Sequence, residues 1–352
     1  MSAMKTRVFT AGKNGIDEQE MAVAAEIIRA GGLVAFPTET VYGLGGDATN
    51  PDASRKIYEA KGRPSDNPLI VHIENFGQLE EIVAEVPKEA RVLADKFWPG
   101  PLTMILNKNE KIPYETTGGL DTVAIRMPNH PVAQAFLKES GCMIAAPSAN
   151  TSGRPSPTRA SHVWEDLQGR IDVILDGGEV GIGIESTIVD LTEDVPVILR
   201  PGFITLEMLS EVLGTVKMDP GIVDENSKKP PKAPGMRYRH YAPKAELTLV
   251  EGQENQVVDA INGYAEKLIS SGKKVGIIAT EETKERYLEG MVVSIGSRND
   301  EAQVARHLYQ VLRQFDEWDV DAIYSESFPT AGVGQAIMNR LLKAAGHKKI
   351  TV

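Results

Sequence analysis

Residues 33–48 read LVAFPTETVYGLGGDA. An apolar run is followed directly by a polar run and then by a short segment that contains three glycines. The apolar run LVAFPT (33–38) predicts a buried strand. The glycines in GLGGDA (43–48) match the G-x-G-x-x-A pattern of dinucleotide-binding proteins. In that fingerprint the strand leads through a tight turn directly into a helix, whereas here PTETVY separates the strand from the glycines. The pattern therefore favours a flexible turn at 43–48 and argues against a dinucleotide fingerprint there.

Further apolar runs in the first 200 residues extend this pattern and predict strands. They are PLIVHI (68–73), PLTMIL (101–106), TVAIRM (122–127), CMIAAP (142–147), IDVIL (171–175), STIVDL (186–191) and PVILR (196–200). Helices are indicated by a capping box at Asp17 and Glu20, and by Asn50–Pro51 at the start of a segment that reaches Lys61. So many strands with few helices predict an N-terminal α/β domain with a twisted mixed sheet.

The last third of the chain alternates regularly between apolar runs and helical periods. Strands are predicted at ELTLV (246–250), VGIIAT (275–280), MVVSIG (291–296) and DAIYSE (321–326), and helices near 254–271, 300–317 and 334–345. This alternation predicts a smaller, Rossmann-like parallel α/β domain.

Composition bounds the class of protein. The 352 residues are 41% hydrophobic and 25% charged, which is typical of a folded globular chain of about two domains. The formal charge of -11 disfavours general binding to nucleic acid or anionic membranes. The single cysteine excludes an intramolecular disulfide, and MSAMKTRVFTAGKNG lacks an apolar signal core. We expect a cytoplasmic protein without a membrane segment.

One basic segment departs from this acidic balance. Six basic residues and no acid lie between Glu225 and Glu246, with four prolines among them. Composition indicates a linker over 214–244, between domains at 1–213 and 245–352. A solvated spacer is one interpretation. GMRYRHYAP (235–243) favours another, a lid over an active site, because its rings and guanidinium groups suit stacking on a base and neutralising phosphate.

Five polar or basic loops adjoin strand ends in the first domain, and one of them, KGRPSDNPL, follows a helix and leads into a strand. They are PTETVYGLG (37–45) with Thr38, Glu39, Thr40 and Tyr42, KGRPSDNPL (61–69), GCMIAAPSANTSGRPSPT (141–158), GIGIESTIVD (181–190) and LRPG (199–202). The basic residues and the histidine near these loops also have structural explanations. Lys61 and Arg63 suit the end of a helix, and a histidine such as His72 at the end of a strand is usually structural. Arg126 could form a buried ion pair as readily as it could bind a ligand carboxylate. The convergence of the loops on strand ends in one domain indicates a ligand site.

The four strings PTETVYGLG, KGRPSDNPL, PSANTSGRPS and ESTIVD resemble the YrdC-type threonylcarbamoyl-AMP synthases. The K-x-R pair is Lys61 and Arg63, and the S-x-N pair is Ser148 and Asn150. The resemblance covers residues 1 to about 213, and RYRHYAP with the C-terminal domain resembles the long, two-domain form. It implies a YrdC-like catalytic domain that converts L-threonine, bicarbonate or CO2, and ATP with Mg²⁺ to threonylcarbamoyl-AMP and pyrophosphate. Partner proteins then transfer the threonylcarbamoyl group to tRNA, so no stable tRNA binding is expected.

The resemblance also implies roles for individual residues. Lys61 and Arg63 would be catalytic. L-threonine would be bound by Thr38, Thr40, His72, Arg126, Ala146 and Ser186. ATP would be bound by Arg63, Asn67, Thr122, Ser148, Asn150, Ser156, Arg200 and Tyr241.

Two other functions stay open at this stage. The basic linker is compatible with an RNA-binding module that keeps a vestigial nucleotide pocket, which steeply salt-dependent tRNA binding would reveal. Another carbamoyl-adenylate enzyme would share the fold and would turn over ATP with carbamoyl phosphate instead of threonine.

Overall fold

A computed structural model describes residues 5–222 and 240–352 of the chain, so most of the basic linker predicted at 214–244 lies outside the described residues. The described residues divide into two compact units. One contains residues 5–152, 156–181 and 185–222, and the other contains 153–155, 182–184 and 240–352. No helix of the described ranges is both long and apolar enough to cross a membrane.

The N-terminal unit is built on one mixed sheet. Its strands are β1 (Arg7–Thr10), β2 (Val34–Phe36), β3 (Gly43–Asp47), β4 (Ile70–His72), β5 (Leu102–Asn107), β6 (Thr122–Arg126), β7 (Ile144–Ala146), β8 (Val173–Asp176), β9 (Thr187–Asp190), β10 (Val197–Arg200) and β11 (Lys217–Met218). Their order in the sheet is β1-β8-β2-β3-β7-β4-β6-β5-β9-β10-β11. The sheet contains both parallel pairs, such as β4 with β6, and antiparallel pairs, such as β5 with β6, which confirms the predicted mixed sheet.

Helices cover this sheet. They are α1 (Glu18–Arg29), α2 (Pro51–Lys61), α3 (Phe76–Glu80), α4 (Lys88–Phe97), α5 (Tyr114–Thr117), α6 (Pro131–Ser140), α7 (Ala160–Leu167) and α8 (Leu206–Leu213). Strand residues alternate between the two faces. On β2, Ala35 enters the main core with residues of α2, α4 and α7, while Val34 and Phe36 enter a second core with residues of α1 and α6.

Two expectations about this unit were wrong. GLGGD is the buried strand β3, paired antiparallel with β2 and β7, and is not a flexible turn. Glycine is required there by packing, because a Cβ on Gly45 would lie 2.7 Å from Ile144 and 3.0 Å from Phe36. The expectation of few helices was also wrong, because eight helices within the described residues cover the sheet. Three of them, α4, α5 and α7, begin after Pro or Arg caps that make no side-chain hydrogen bond, so the sequence lacks a clear signal for their start.

The C-terminal unit has a smaller, entirely parallel sheet, as predicted from the alternating sequence. Its elements are β12 (Glu246–Glu251), α9 (Glu254–Ser270), β13 (Val275–Ala279), β14 (Met291–Ser294), α10 (Glu301–Glu317), β15 (Ala322–Glu326), α11 (Gly334–Ala344) and β16 (Lys349–Thr351). The strand order is β14-β13-β15-β12-β16, with each adjacent pair parallel. The terminal strand β16 was not expected from the sequence.

Candidate active site

Strand register brings three polar side chains into one row. His72 ends β4 and lies opposite Arg126, the last residue of the parallel strand β6. Arg126 in turn lies opposite Thr103 on β5. The Thr103 hydroxyl is 2.7 Å from the hydroxyl of Ser186, which immediately precedes β9. Four adjacent strands therefore contribute to one polar edge.

Alternation along the strands places this row on the face opposite the main core. Val71 and Ile125 pack into the main core, whereas Ile70 and Ala124 belong to a small cluster on the other face. His72 and Arg126 share that second face because they lie two residues further along their strands. Ala146 is opposite Ile70 on β7, so it lies on the neighbouring strand but two positions back from His72.

The segment after β2 supplies hydroxyls and a carboxylate to Arg126. Arg126 Nη1 donates to Thr40 Oγ1 at 2.8 Å, and Thr40 Oγ1 is 2.8 Å from Thr38 Oγ1. Arg126 Nη2 and Glu39 Oε1 form an ion pair at 2.7 Å, in which both side chains are at least 87% buried (4% and 13% exposed). The buried ion pair anticipated for Arg126 is thus present, and it lies within the candidate site.

His72 is held in its neutral form. Burial, and secondarily the positive charge of Arg126, lower the pKa of His72 to about 3. Its Nδ1 lies 3.1 Å from the carbonyl of Ile70, and its ring meets Phe36 edge to face. His72 can therefore hydrogen-bond a ligand but does not carry a positive charge near neutral pH.

Ser186 and Arg200 form one cluster. Arg200 Nε donates to the Ser186 carbonyl at 3.0 Å, and Nη2 donates to the Ser186 hydroxyl at 3.1 Å. The family resemblance implied that Ser186 binds threonine and that Arg200 binds ATP. The structure places the two side chains in direct contact, so the predicted halves of the site meet here.

A second polar cluster forms around Lys61 at the end of α2. The Lys61 side chain is 2% exposed, and its Nζ donates to the carbonyls of Ser148 and Asn150. The Ser148 hydroxyl donates to Asn150 Oδ1 at 2.6 Å. The K-x-R and S-x-N strings, nearly 90 residues apart in sequence, are therefore adjacent through Lys61.

Arg63 and Asn67 extend this second cluster. Arg63 Nη2 donates to the carbonyls of Asn67 and Pro68, each at 3.1 Å. Asn67 is buried, and its Oδ1 accepts no hydrogen bond within the described residues. Thr122 begins β6, four residues before Arg126, which is about 13 Å along a strand at ~3.3 Å per residue. Thr122 thus lies at the other end of β6 from the Arg126 row, the end at which β4 also begins.

The loops that carry these residues are joined by backbone hydrogen bonds. Tyr42 N donates to the Pro157 carbonyl at 2.9 Å, and Ala149 N donates to the Tyr42 carbonyl at 2.8 Å. Ser156, in the same loop, donates to Glu185 Oε1 at 2.6 Å, and both residues are buried. The segment 37–45 therefore connects the Arg126 row with the Lys61 cluster.

Tyr241 lies in the C-terminal unit. Its ring stacks on Tyr309 with centroids 5.2 Å apart, and Arg340 lies 5.7 Å from its centroid. Its φ of 64° is in the left-handed region, which a residue other than glycine rarely adopts. The neighbouring residues 223–239 are outside the described part of the chain.

A separate cavity of about 680 Å³ lies near the amino end of β2. Its lining includes Leu33, Lys56 and Arg170. The polar row described above follows the carboxyl ends of β2, β4 and β6, so the cavity is not part of this site.

Three site residues were not assigned a role from the sequence: Glu39, Thr103 and Glu185. Glu39 and Glu185 stand inside the strings PTETVYGLG and ESTIVD, so the same strings pointed to them. Thr103 was hidden within a strand, and only strand register relates it to Arg126.

Comparisons with known proteins agree over nearly the whole chain. The family profile described as "Telomere recombination" matches residues 26–202, and that described as "Threonylcarbamoyl-AMP synthase, C-terminal domain" matches residues 204–346. The threonylcarbamoyl-AMP synthase of Bacillus subtilis is 52% identical over 335 residues, covering 95% of each chain. That of Pyrococcus abyssi is 50% identical over 337 residues, covering 96% of this chain and 97% of the relative.

The structural comparison extends to both units. A crystal structure of P. abyssi Sua5 complexed with L-threonine has a TM-score of 0.92 to this chain at 47% identity, covering 99% of both chains. Both the sequence and the fold therefore lead to the same group of proteins. The chain belongs to the threonylcarbamoyl-AMP synthase family.

Proposed function

We propose that this protein converts L-threonine, bicarbonate or CO2, and ATP to threonylcarbamoyl-AMP and pyrophosphate. The observation that carries the proposal is the buried Arg126 in a row of hydroxyl groups, joined through the segment 37–45 to the cluster around Lys61. Family membership gives the reaction class. The P. abyssi relative crystallised with L-threonine supports threonine as the amino acid.

In the proposed threonine half, Arg126 binds the carboxylate. Thr38, Thr40, His72 and Ser186 offer hydrogen bonds to the amino acid, and Ala146 adds a small apolar contact. The neutral state of His72 suits a hydrogen bond to a hydroxyl group, because the ring then has one donor and one acceptor nitrogen. A site that hydrogen-bonds the substrate hydroxyl rejects valine by about 10⁴-fold or more, whereas serine, one methyl smaller, costs only ~1–3 kcal/mol.

In the proposed ATP half, Lys61 and Arg63 neutralise phosphate charge. Asn67, Thr122, Ser148, Asn150, Ser156 and Arg200 hold the nucleotide. The buried Oδ1 of Asn67 is an acceptor that a ligand N–H can satisfy. Mg²⁺ is usually held by substrate phosphates and one or two carboxylates, and Glu185, buried beside Ser156, offers such a carboxylate. Bound there, Mg²⁺ would neutralise phosphate charge.

The chemistry needs positioning more than a protein nucleophile. The threonine amine must lose its proton to attack CO2, and a carbamate oxygen then attacks the α-phosphorus while pyrophosphate leaves. Correct alignment of bound reactants is worth up to about 7–11 kcal/mol. Water competes for both the carbamate and the acyl-adenylate, so the site must exclude it. We assign this exclusion to the linker 214–244 with Tyr241, between a catalytic domain at 1–213 and a C-terminal domain at 245–352.

Downstream proteins would transfer the threonylcarbamoyl group to the adenosine beside the tRNA anticodon. We therefore propose that the reaction takes place in the cytoplasm and needs no stable complex between this protein and tRNA.

The direct test is pyrophosphate release. The protein is incubated with ATP, Mg²⁺ and bicarbonate, with and without L-threonine. Release that depends on threonine supports the proposal. Turnover that is indifferent to threonine, or that requires carbamoyl phosphate in its place, contradicts it.

A further inference from the structure

The ion pair between Arg126 and Glu39 is unusual because its facing atoms are not hydrogen-bonded. Arg126 Nη2 and Glu39 Oε1 lie 2.7 Å apart, yet both are buried polar atoms that make no hydrogen bond within the described residues. Buried polar groups are almost always satisfied in native proteins, so two unsatisfied atoms of opposite charge side by side call for an explanation.

Other hydrogen bonds fix both side chains in place. Arg126 Nη1 donates to Thr40, and its Nε donates to the carbonyl of Gly100 at 3.3 Å. The second carboxylate oxygen of Glu39, Oε2, accepts from Asn129 N at 3.0 Å. A structural arginine–carboxylate pair typically forms two parallel hydrogen bonds. Here the other polar atoms of Arg126 and Glu39 are hydrogen-bonded to neighbouring residues. Arg126 Nη2 can therefore still donate a hydrogen bond to a ligand, and Glu39 Oε1 can still accept one.

A zwitterion matches this arrangement. A free amino acid at neutral pH carries a carboxylate, which accepts hydrogen bonds, and an ammonium, which donates three. Arg126 supplies a cationic donor and Glu39 an anionic acceptor, one for each ligand charge. His72 adds no charge beside Arg126, because its pKa is lowered to about 3. The charges of Arg126 and Glu39 cancel, and a zwitterion has no net charge, so binding leaves the net charge of the site unchanged.

We propose that Glu39 is a specificity-determining residue that binds the α-ammonium of the amino-acid substrate while Arg126 binds its carboxylate. The inference rests on the proposed function and adds to it the residue that distinguishes an amino acid from the corresponding hydroxy acid. A purely structural role for Glu39 would act only through Arg126 and would affect any carboxylate ligand equally.

The test compares two ligands on three proteins by calorimetric titration without ATP. The ligands are L-threonine and 2,3-dihydroxybutanoate, in which a hydroxyl replaces the ammonium; the weaker ligand is measured by displacement. The proteins are the wild type, Glu39→Gln, and the control Glu26→Gln, which makes the same change in an exposed pair with Arg29. Thermal unfolding of each variant establishes that it is folded, and Glu39→Asp tests rescue by a shorter carboxylate.

Glu39→Gln should weaken threonine binding by about 10- to 100-fold, since it removes a charge-assisted hydrogen bond, and should change dihydroxybutanoate binding by less than about threefold. Glu26→Gln should change neither, and Glu39→Asp should recover part of the threonine affinity. Equal losses for both ligands, or no loss for threonine, would overturn the role of Glu39. Absence of threonine binding to the wild type would instead contradict the proposed function itself.

Discussion

Lys61 is a charged side chain in an almost fully buried position. Its ammonium is held by two backbone carbonyls of the loop after β7, at Ser148 and Asn150. Carbonyl oxygens offset part of the cost of burying the ammonium without neutralising its charge. We propose that this ammonium neutralises phosphate charge during adenylyl transfer.

Lys61→Ala should lower kcat for threonine-dependent pyrophosphate release by about 10²- to 10³-fold, the usual cost of removing one preorganised donor. Threonine affinity, measured by calorimetry, should change little because we assign Lys61 to the ATP half of the site. The matched control is Lys56→Ala, an exposed lysine on the same helix. Turnover of the Lys61 variant within about threefold of the wild type would contradict its catalytic role.

His72 should not titrate in the physiological range. Burial and Arg126 lower its pKa to about 3, so the unfolded chain binds this proton at higher pH than the folded protein does. The contribution of His72 to the free energy of unfolding therefore falls as pH decreases from about 6.5 to 3, by up to ~1.4 kcal/mol per pH unit. Burial also lowers the pKa of His130, which acts in the same direction.

Imidazole NMR signals check this prediction. The His72 resonance, assigned by its loss in His72→Gln, should keep a constant chemical shift from pH 5 to pH 8. A titration midpoint inside that interval would show that His72 is charged under assay conditions, and its proposed role as a neutral hydrogen-bonding group would be wrong.

Among the elements, the strand ends carry the site, and one turn supports them. Gly202 follows β10 and packs against the segment that leads into β9. A Cβ at Gly202 would overlap the backbone nitrogen of Thr187 and would lie 2.7 Å from Thr187 Oγ1 and 2.8 Å from the Ser186 carbonyl carbon. Backbone atoms cannot move aside as a flexible side chain can, so the clash must displace Ser186.

Gly202→Ala should raise the KM for threonine and should lower the free energy of unfolding by about 1–3 kcal/mol, as overpacking usually does. Gly181→Ala is the matched control, because a Cβ there meets nothing within 4 Å. Steady-state kinetics and thermal unfolding measure the two effects. An unchanged threonine KM in the Gly202 variant would show that Ser186 does not depend on this turn.

The sequence predicted most strands because their apolar runs are long enough to be recognised alone. It failed at β3, since glycine has low β propensity and Gly45 is required by packing against Ile144 and Phe36. His72 ends a strand, as the sequence indicated, but the sequence did not indicate which candidate residues would pair. Glu39 and Arg126 are brought together by tertiary structure, and no local pattern indicates which carboxylate a buried arginine will meet.

At the scale of the whole molecule, the two family profiles meet between residues 202 and 204, so the chain combines two distinct domains. The chain has a net charge of -11, but a basic, aromatic segment lies between Glu225 and Glu246, within the range that the second profile matches. We interpret that segment as charge for the phosphates of ATP. The link to tRNA is then made by the product, and the acidic surface does not conflict with it.

Tyr241→Ala, and deletion of residues 215–352, should both impair turnover although the N-terminal domain still folds. Both changes affect the region proposed to exclude water from the acyl-adenylate. Tyr264→Ala is the control for Tyr241, since it removes a comparable stacked ring, on Tyr324, in the same unit. Circular dichroism verifies folding, and full activity of the truncated protein would refute the proposed lid.

The identity of the product shows whether this protein is a threonylcarbamoyl-AMP synthase. The protein is incubated with ATP, Mg²⁺, L-threonine and ¹³C-bicarbonate, and the nucleotide products are analysed by mass spectrometry. We expect threonylcarbamoyl-AMP that is one mass unit heavier than with ordinary bicarbonate, and no corresponding product with valine. Formation of AMP without a labelled threonyl adduct, or an equally abundant valine adduct, would contradict the proposed function.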